Sequence, residues 1–188
     1  MKKIVNTRPE TFFSEDVEIK IYDSKKKHFY FRKNPDRNIT FNLPKGEYYS
    51  DNNLEKQNLF IPYPVSYKGF KDGWVNEIDF YVCHNENKAT IFPTLKRPKV
   101  FLDNKIANHV YKPLTMFVLS HEVSHREPEG RGIECNSNTA NFCDINGANY
   151  LINKVGLNPS QIVLATKILY KEGMRGICTL AAMSNFKR

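Results

Sequence analysis

Cysteine is scarce and unpaired in pattern: Cys83, Cys135, Cys143 and Cys178 stand alone in 188 residues, with no CxxC among them. Long hydrophobic runs are missing too. The longest apolar stretches, such as MFVL at 116–119, fall far short of the roughly 20 residues a bilayer-spanning helix needs. The opening MKKIVNTRPE carries two lysines but reaches Asn6 and Arg8 before any apolar region forms, so a secretory signal is not expected. Without export, a reducing cytoplasmic setting is expected and the cysteines are read as thiols. No internal repeat or low-complexity tract interrupts the chain.

What is present fits an ordinary globular protein. The chain is 40% hydrophobic and 26% charged, and its length suits one domain, 1–188, rather than two. The net charge is +8, with a short cluster at Lys25, Lys26 and Lys27 and a tail of Lys187 and Arg188. Such a balance raises the question of nucleic-acid contact. No nucleic-acid motif accompanies it, so a solvated basic surface is the preferred reading.

The hydrophobic period changes along the chain. Alternation in VEIKIYD (17–23) and NITFNL (38–43), and the aromatic run HFYFRK (28–33), predict strands. PKG at 44–46 marks a turn before EYYS. EIDFYVC (77–83), ATIF (89–92) and KVFL (99–102) predict three more strands. Pro62, Pro64, Pro93 and Pro98 should fall at edges or in loops, because proline cannot donate to a ladder. From Lys112 the period is helical, with Pro113 suited to a first turn. REPEGRG (126–132) should break that helix. A second is predicted within 137–156, stopping at Gly156, and a third over 158–173 with Asn158 as N-cap and Gly173 as stop. ICTLAAM (177–183) reads as a short helix or strand. A β-rich portion, 1–105, followed by a helical one, 106–188, predicts an α+β fold with antiparallel strands rather than alternating βαβ units.

Inside the first of these helices stands His121-Glu122-Val123-Ser124-His125. Residues four apart share a helix face, so both imidazoles can reach one metal ion. Glu122 then projects near the open side of that ion, placed to take a proton from a water whose pKa zinc lowers. Each of the three fixed positions has a physical reason, and shuffling this composition produces the pattern in roughly one sequence per hundred. Surface histidines on an unrelated helix would be the bland alternative. The apolar run LTMFVLSHEVSH argues instead for a helix that is buried or lines a cleft. A catalytic zinc needs a third protein ligand. Glu134, Cys135, Cys143 and Asp144 are the downstream candidates. The metzincin continuation would need Gly at 128 and His at 131, where this chain has Pro128 and Arg131.

HEVSH followed by CDINGANYLINKVGLNPSQI resembles the small HExxH metallopeptidases encoded by tailed bacteriophages and prophages. The matching features are Cys143-Asp144, Ala148, Gly156 and Asn158-Pro159-Ser160, within a region running from Leu114 to the C-terminus. The resemblance implies a zincin-like domain, a zinc cofactor, His121 and His125 as ligands, Glu122 as general base, and a protein or peptide substrate. It also brings in phage structural proteins or a homo-oligomer as partners, in the host cytoplasm or on the particle. Gluzincins often carry a ligand Glu four residues before such an aspartate, and Ala140 stands there instead. Either Asp144 is the third ligand, or Glu134 reaches in from the loop, or the site is incomplete. A carboxylate held on a helix is placed more firmly than one on a Gly-rich loop, which favours Asp144. Its alternative role is an outer partner of a histidine N–H.

Cys143, amid NFCDI, reads as core, and Glu127 and Glu129 as solvent-facing. An oxyanion stabiliser would come from His109, Tyr111, Arg126, Arg131 or Tyr150. ATIF or KVFL would offer the sheet edge for an extended peptide. Two functions are carried forward: a zinc peptidase, and a catalytically silent zincin-fold component of a phage particle. The aromatic segment FIPYPVSYKGF (60–70) and Ala140 motivate the second.

Overall fold

A computed structural model describes residues 1–25, 28–32, 39–57, 61–67, 78–84, 89–92, 97–130 and 137–174. The described strands are β1 (Lys2–Asn6), β2 (Glu10–Ser14), β3 (Glu18–Asp23), β4 (His28–Arg32), β5 (Ile39–Leu43), β6 (Gly46–Ser50), β7 (Glu55–Gln57), β8 (Tyr63–Val65), β9 (Asp79–Cys83), β10 (Ala89–Phe92) and β11 (Lys99–Asp103). Helices α1 (Asn104–Ala107), α2 (Lys112–Ser124), α3 (Arg126–Gly130), α4 (Ser137–Tyr150) and α5 (Pro159–Lys171) follow, with a π-helical turn, Leu151–Val155, closing α4. Antiparallel sheets first and helices after make this an α+β protein. No helix among the described residues is long and apolar enough to cross a membrane.

The chain forms two compact units. The first comprises 1–63 and 83–86, the second 64–82 and 87–188. The strands nearest the helices in sequence therefore belong with them.

In the first unit, β1-β6-β3-β4 form one sheet and β5-β2-β7 another. Ile19 and Ile21 of β3 are fully buried while Glu18 and Lys20 are exposed, the two-residue alternation of a strand with one wet face. Phe12 pairs with Phe41 across β2 and β5, and their rings stack at 5.9 Å. Beyond the end of β6, the Asn52 side chain continues the ladder. Its Oδ1 accepts from the Lys20 N–H at 2.9 Å and its Nδ2 donates to the Glu18 carbonyl at 2.8 Å. One amide thus satisfies both polar groups of an otherwise open stretch of β3.

The sheet β10-β11-β9-β8 falls in the second unit apart from Tyr63 of β8 and Cys83 of β9, with β10 and β8 outermost among the described strands. Pro64 lies in β8, on an edge where its missing N–H costs no ladder bond. Against this sheet packs a core built around α2, including Val100, Leu102, Leu114, Phe117, Ile162 and Leu169. Burying side chains of this kind stabilises a fold by about 1.5–3 kcal/mol each before entropy is counted.

Local chemistry sets the helix limits. Lys112 starts α2 with Pro113 in its first turn, as the sequence predicts. The helix ends at Ser124 with His125 as its cap, and REPEG then forms the short α3 instead of an open break. Asn158 caps α5 through a reciprocal capping box with Gln161. Gly156 adopts φ 88° as the left-handed stop after the π turn, and Gly173 φ 66° beyond α5. The β1, β2, β7 and β8 strands and α1 were not anticipated. ICTLAAM lies outside the described residues.

Candidate metal centre

Helix α2 is buried on every side from Leu114 to Ser124 except at Met116, which is half-buried. It lies against α4, α5 and the outermost strand β10. Burying polar residues in such a helix requires that each be satisfied. Ser120 Oγ donates to the Phe117 carbonyl and Ser124 Oγ to the Ser120 carbonyl, both at 2.8 Å, so these hydroxyls are spent on their own helix.

The histidines are spent differently. His121, Glu122 and His125 are only 5%, 6% and 5% exposed, and Asp144 is 2% exposed. Asp144, on α4, places Oδ1 at 2.6 Å from His121 Nδ1. An ionised carboxylate only accepts, so with Asp144 ionised and His121 neutral the imidazole proton belongs on Nδ1, which leaves the Nε2 lone pair toward His125. That Nε2 lies 3.2 Å from Nε2 of His125, with the rings at 75° to each other and centroids 4.9 Å apart. Two nitrogens on one zinc at 2.0–2.1 Å in tetrahedral geometry stand about 3.3 Å apart. The converging imidazoles therefore fit a shared divalent cation. Without an ion, the same approach is a hydrogen bond from the N–H of His125 to His121.

Close helix packing makes the carboxylate contact possible. A Cβ on Gly147 would lie 2.8 Å from Ser120 Oγ and 3.0 Å from both Ser120 C and His121 N. Only glycine lets α4 come this near the backbone that carries His121. Asp144, one turn earlier on α4, then reaches Nδ1.

Asp144 therefore stands on the side of His121 opposite the converging nitrogens. The sequence reading preferred Asp144 as a third ligand; here its Oδ1 meets His121 Nδ1 and not the Nε2 that faces His125. A carboxylate behind a ligating imidazole fixes its tautomer and raises its basicity. Glu134, Cys135 and Arg131 lie outside the described residues. Among the described residues no group of three His, Cys, Asp or Glu gathers around one point. Cys143 is fully buried, as a core residue would be, and Glu127 is exposed.

The proposed oxyanion residues separate by position. Tyr111 caps the start of α2, ten residues and about 15 Å along the axis from His121. Its N–H donates to His109 Nδ1 at 3.1 Å and its hydroxyl to the Gln161 carbonyl at 3.2 Å, while His109 Nε2 faces Glu172 at 3.5 Å. Both residues belong to the far end of the helix. Arg126 follows His125 directly, and Tyr150 lies six residues beyond Asp144; each is half-buried. Of the two strands proposed as a peptide-docking edge, β10 is outermost and touches α2, whereas β11 is interior to its sheet. Gly147 was missed in the sequence reading. A glycine mid-helix three residues after Asp144 was the available signal, because glycine costs a helix about 1 kcal/mol unless close packing requires it.

No family model, curated protein or solved structure matches this chain.

Proposed function

We propose that the protein is a zinc-dependent peptidase, related in kind to the small HExxH enzymes of tailed bacteriophages that its helical region resembles. The observation that carries this reading is the 3.2 Å convergence of the His121 and His125 Nε2 atoms with Asp144 behind the first of them. His121 and His125 would hold the ion. Zinc supplies Lewis acidity and a lowered pKa for water when bound. Asp144 would hold His121 in the tautomer whose Nε2 lone pair can ligate. Glu122, the next residue along α2, would accept the proton released from water and pass it to the leaving amine. Its burial, at 6% exposure, removes competing solvent from that transfer. Strand β10, outermost among the described strands and beside α2, would be the edge that pairs with an extended peptide, and a polypeptide is the substrate class this reading takes. A working place in a host cytoplasm or on a particle follows from the resemblance.

The test pairs zinc content with hydrolysis of an unstructured protein substrate. Glu122→Gln should retain zinc and lose about 100-fold or more in kcat, the usual contribution of a general base. Cleavage at the parental rate would remove Glu122 from the mechanism. A second reading, a catalytically silent assembly component of a phage particle, is favoured by the burial of His121, Glu122 and His125 alike. Zinc-loaded parent protein that forms a stable ring and cleaves nothing would support it over the first.

A further inference from the structure

The side-chain carbonyl oxygen of Asn141 is buried, and no hydrogen-bond donor among the described residues reaches it. A buried acceptor left in this state loses its hydration with nothing in exchange, which destabilises the fold. Native structures tolerate that when a water or an ion fills the gap.

Its place in the helix pair follows from the contacts between α2 and α4. Asp144 meets His121 and Gly147 meets Ser120, so rising numbers on α4 run with falling numbers on α2 and the helices are antiparallel here. Asn146 marks one flank of the contact, donating to Ser124 Oγ at 3.3 Å. At about 100° per residue, Asn141 stands about 220° round α4 from Asn146 in the sense of rising numbers, across the buried face and on the other flank. On α2, Glu122 and His125 stand about 160° and 100° round from Ser124, also off the Ser124 flank. In an antiparallel pair, the same sense of rotation on both helices leads to the same side of the seam. Asn141 lies one turn before Asp144, and His125 one turn after His121. Asn141 is thus level with His125 and on the flank of the seam that carries it.

We propose that Asn141 Oδ1 is the third protein donor of a divalent-cation site completed by His121 and His125. The inference rests on the metal-site reading above and adds the donor that reading lacks. A neutral amide oxygen gives a His2Asn donor set with no charge of its own. The ion keeps its full positive charge, and is held less tightly than it would be by a carboxylate in the same place.

The experiment is a titration of the metal-stripped full chain with zinc alone, in competition with a chromophoric chelator, beside thermal unfolding without metal. Asn141→Leu should lower zinc affinity by more than about tenfold. Its metal-free unfolding temperature should hold or rise, because the orphaned carbonyl is gone. Asn141→Asp should bind zinc more tightly than the parent. If Asn141→Leu binds zinc as the parent does while His121→Ala does not, the Asn141 assignment is overturned and the histidine site stands. If Asn141→Leu fails to fold, Asn141→Asp decides, and no gain in affinity overturns the assignment. A parent chain that binds no zinc defeats the metal-site reading itself.

Discussion

At the scale of single residues, the chemistry of this site turns on which nitrogen of His121 carries the proton. Asp144 decides it, and the substitution Asp144→Asn tests the point. An amide at 144 can donate as well as accept, so it no longer forces the proton onto Nδ1. Zinc affinity should fall by about 10–100-fold, the usual cost of losing an outer carboxylate, with the fold kept. A chelator competition measures it, and unchanged affinity would mean that the contact is only structural. The helix face shared by His121 and His125 was legible in the sequence because residues four apart lie on one side of a helix. The side of His121 on which Asp144 stands was not. Residue spacing fixes which faces meet, whereas the role of a carboxylate depends on an ångström or two of helix separation.

Asp79 makes a second argument at this scale. Burial pushes its carboxyl up, but hydrogen bonds and charge from Lys99 and Arg97 outweigh that and hold it below the usual carboxylate value. A lowered folded pKa contributes stability above the unfolded value of about 3.9 and loses it as pH falls through the folded one. Asp79→Asn should therefore lower the urea midpoint at pH 7 and leave it nearly unchanged at pH 2. The acid limb of the stability profile should flatten accordingly. An equal loss at both pH values would show that packing, not charge, is what the substitution removes.

Among the elements, the α2–α4 pair carries the site, and Gly147 sets its spacing. Gly147→Ala gains up to about 1 kcal/mol of helix propensity. It also drives a methyl into Ser120 and the His121 backbone, an overpacking that costs about 1–3 kcal/mol. Backbone cannot yield as a flexible side chain would, so the second effect wins. We expect net destabilisation of up to about 2 kcal/mol in urea unfolding, and weaker zinc binding, because Asp144 is carried away from His121. Higher stability would show that the helices part without strain. The three main helices were legible because their signals are local: Pro113 in a first turn, Gly156 and Gly173 at positive φ, and the Asn158 capping box. β7 and β8, of three residues each, are too short to show a period, and β1 opens with exposed lysines where alternation has nothing to bury. Their pairing partners, not their own sequences, make them strands. β2 hides for the opposite reason. It is buried on both faces, so its residues do not alternate.

For the molecule as a whole, the order of strands before helices announced an α+β chain, and the structure has it. The division into two compact units was not legible, because residues 83–86 return to the first unit after 64–82 have joined the second. A boundary that crosses the chain more than once leaves no shift of composition to read. We expect the two units to respond separately to damage. Phe117→Ala, which opens a cavity beside α2, should cost about 3–5 kcal/mol and abolish zinc binding. Far-UV circular dichroism of the β-rich unit should outlast that loss at moderate urea. A single coincident transition for zinc release and strand melting would show one cooperative body.

The burial of α2 on nearly every side has a consequence for time as well as for energy. Its amides have no frayed surface from which to exchange, so deuterium should enter them only when the second unit opens altogether. The histidines ride on that slowest segment. An ion leaving the site would then disturb no backbone, and the vacated site would keep its shape ready for the next ion.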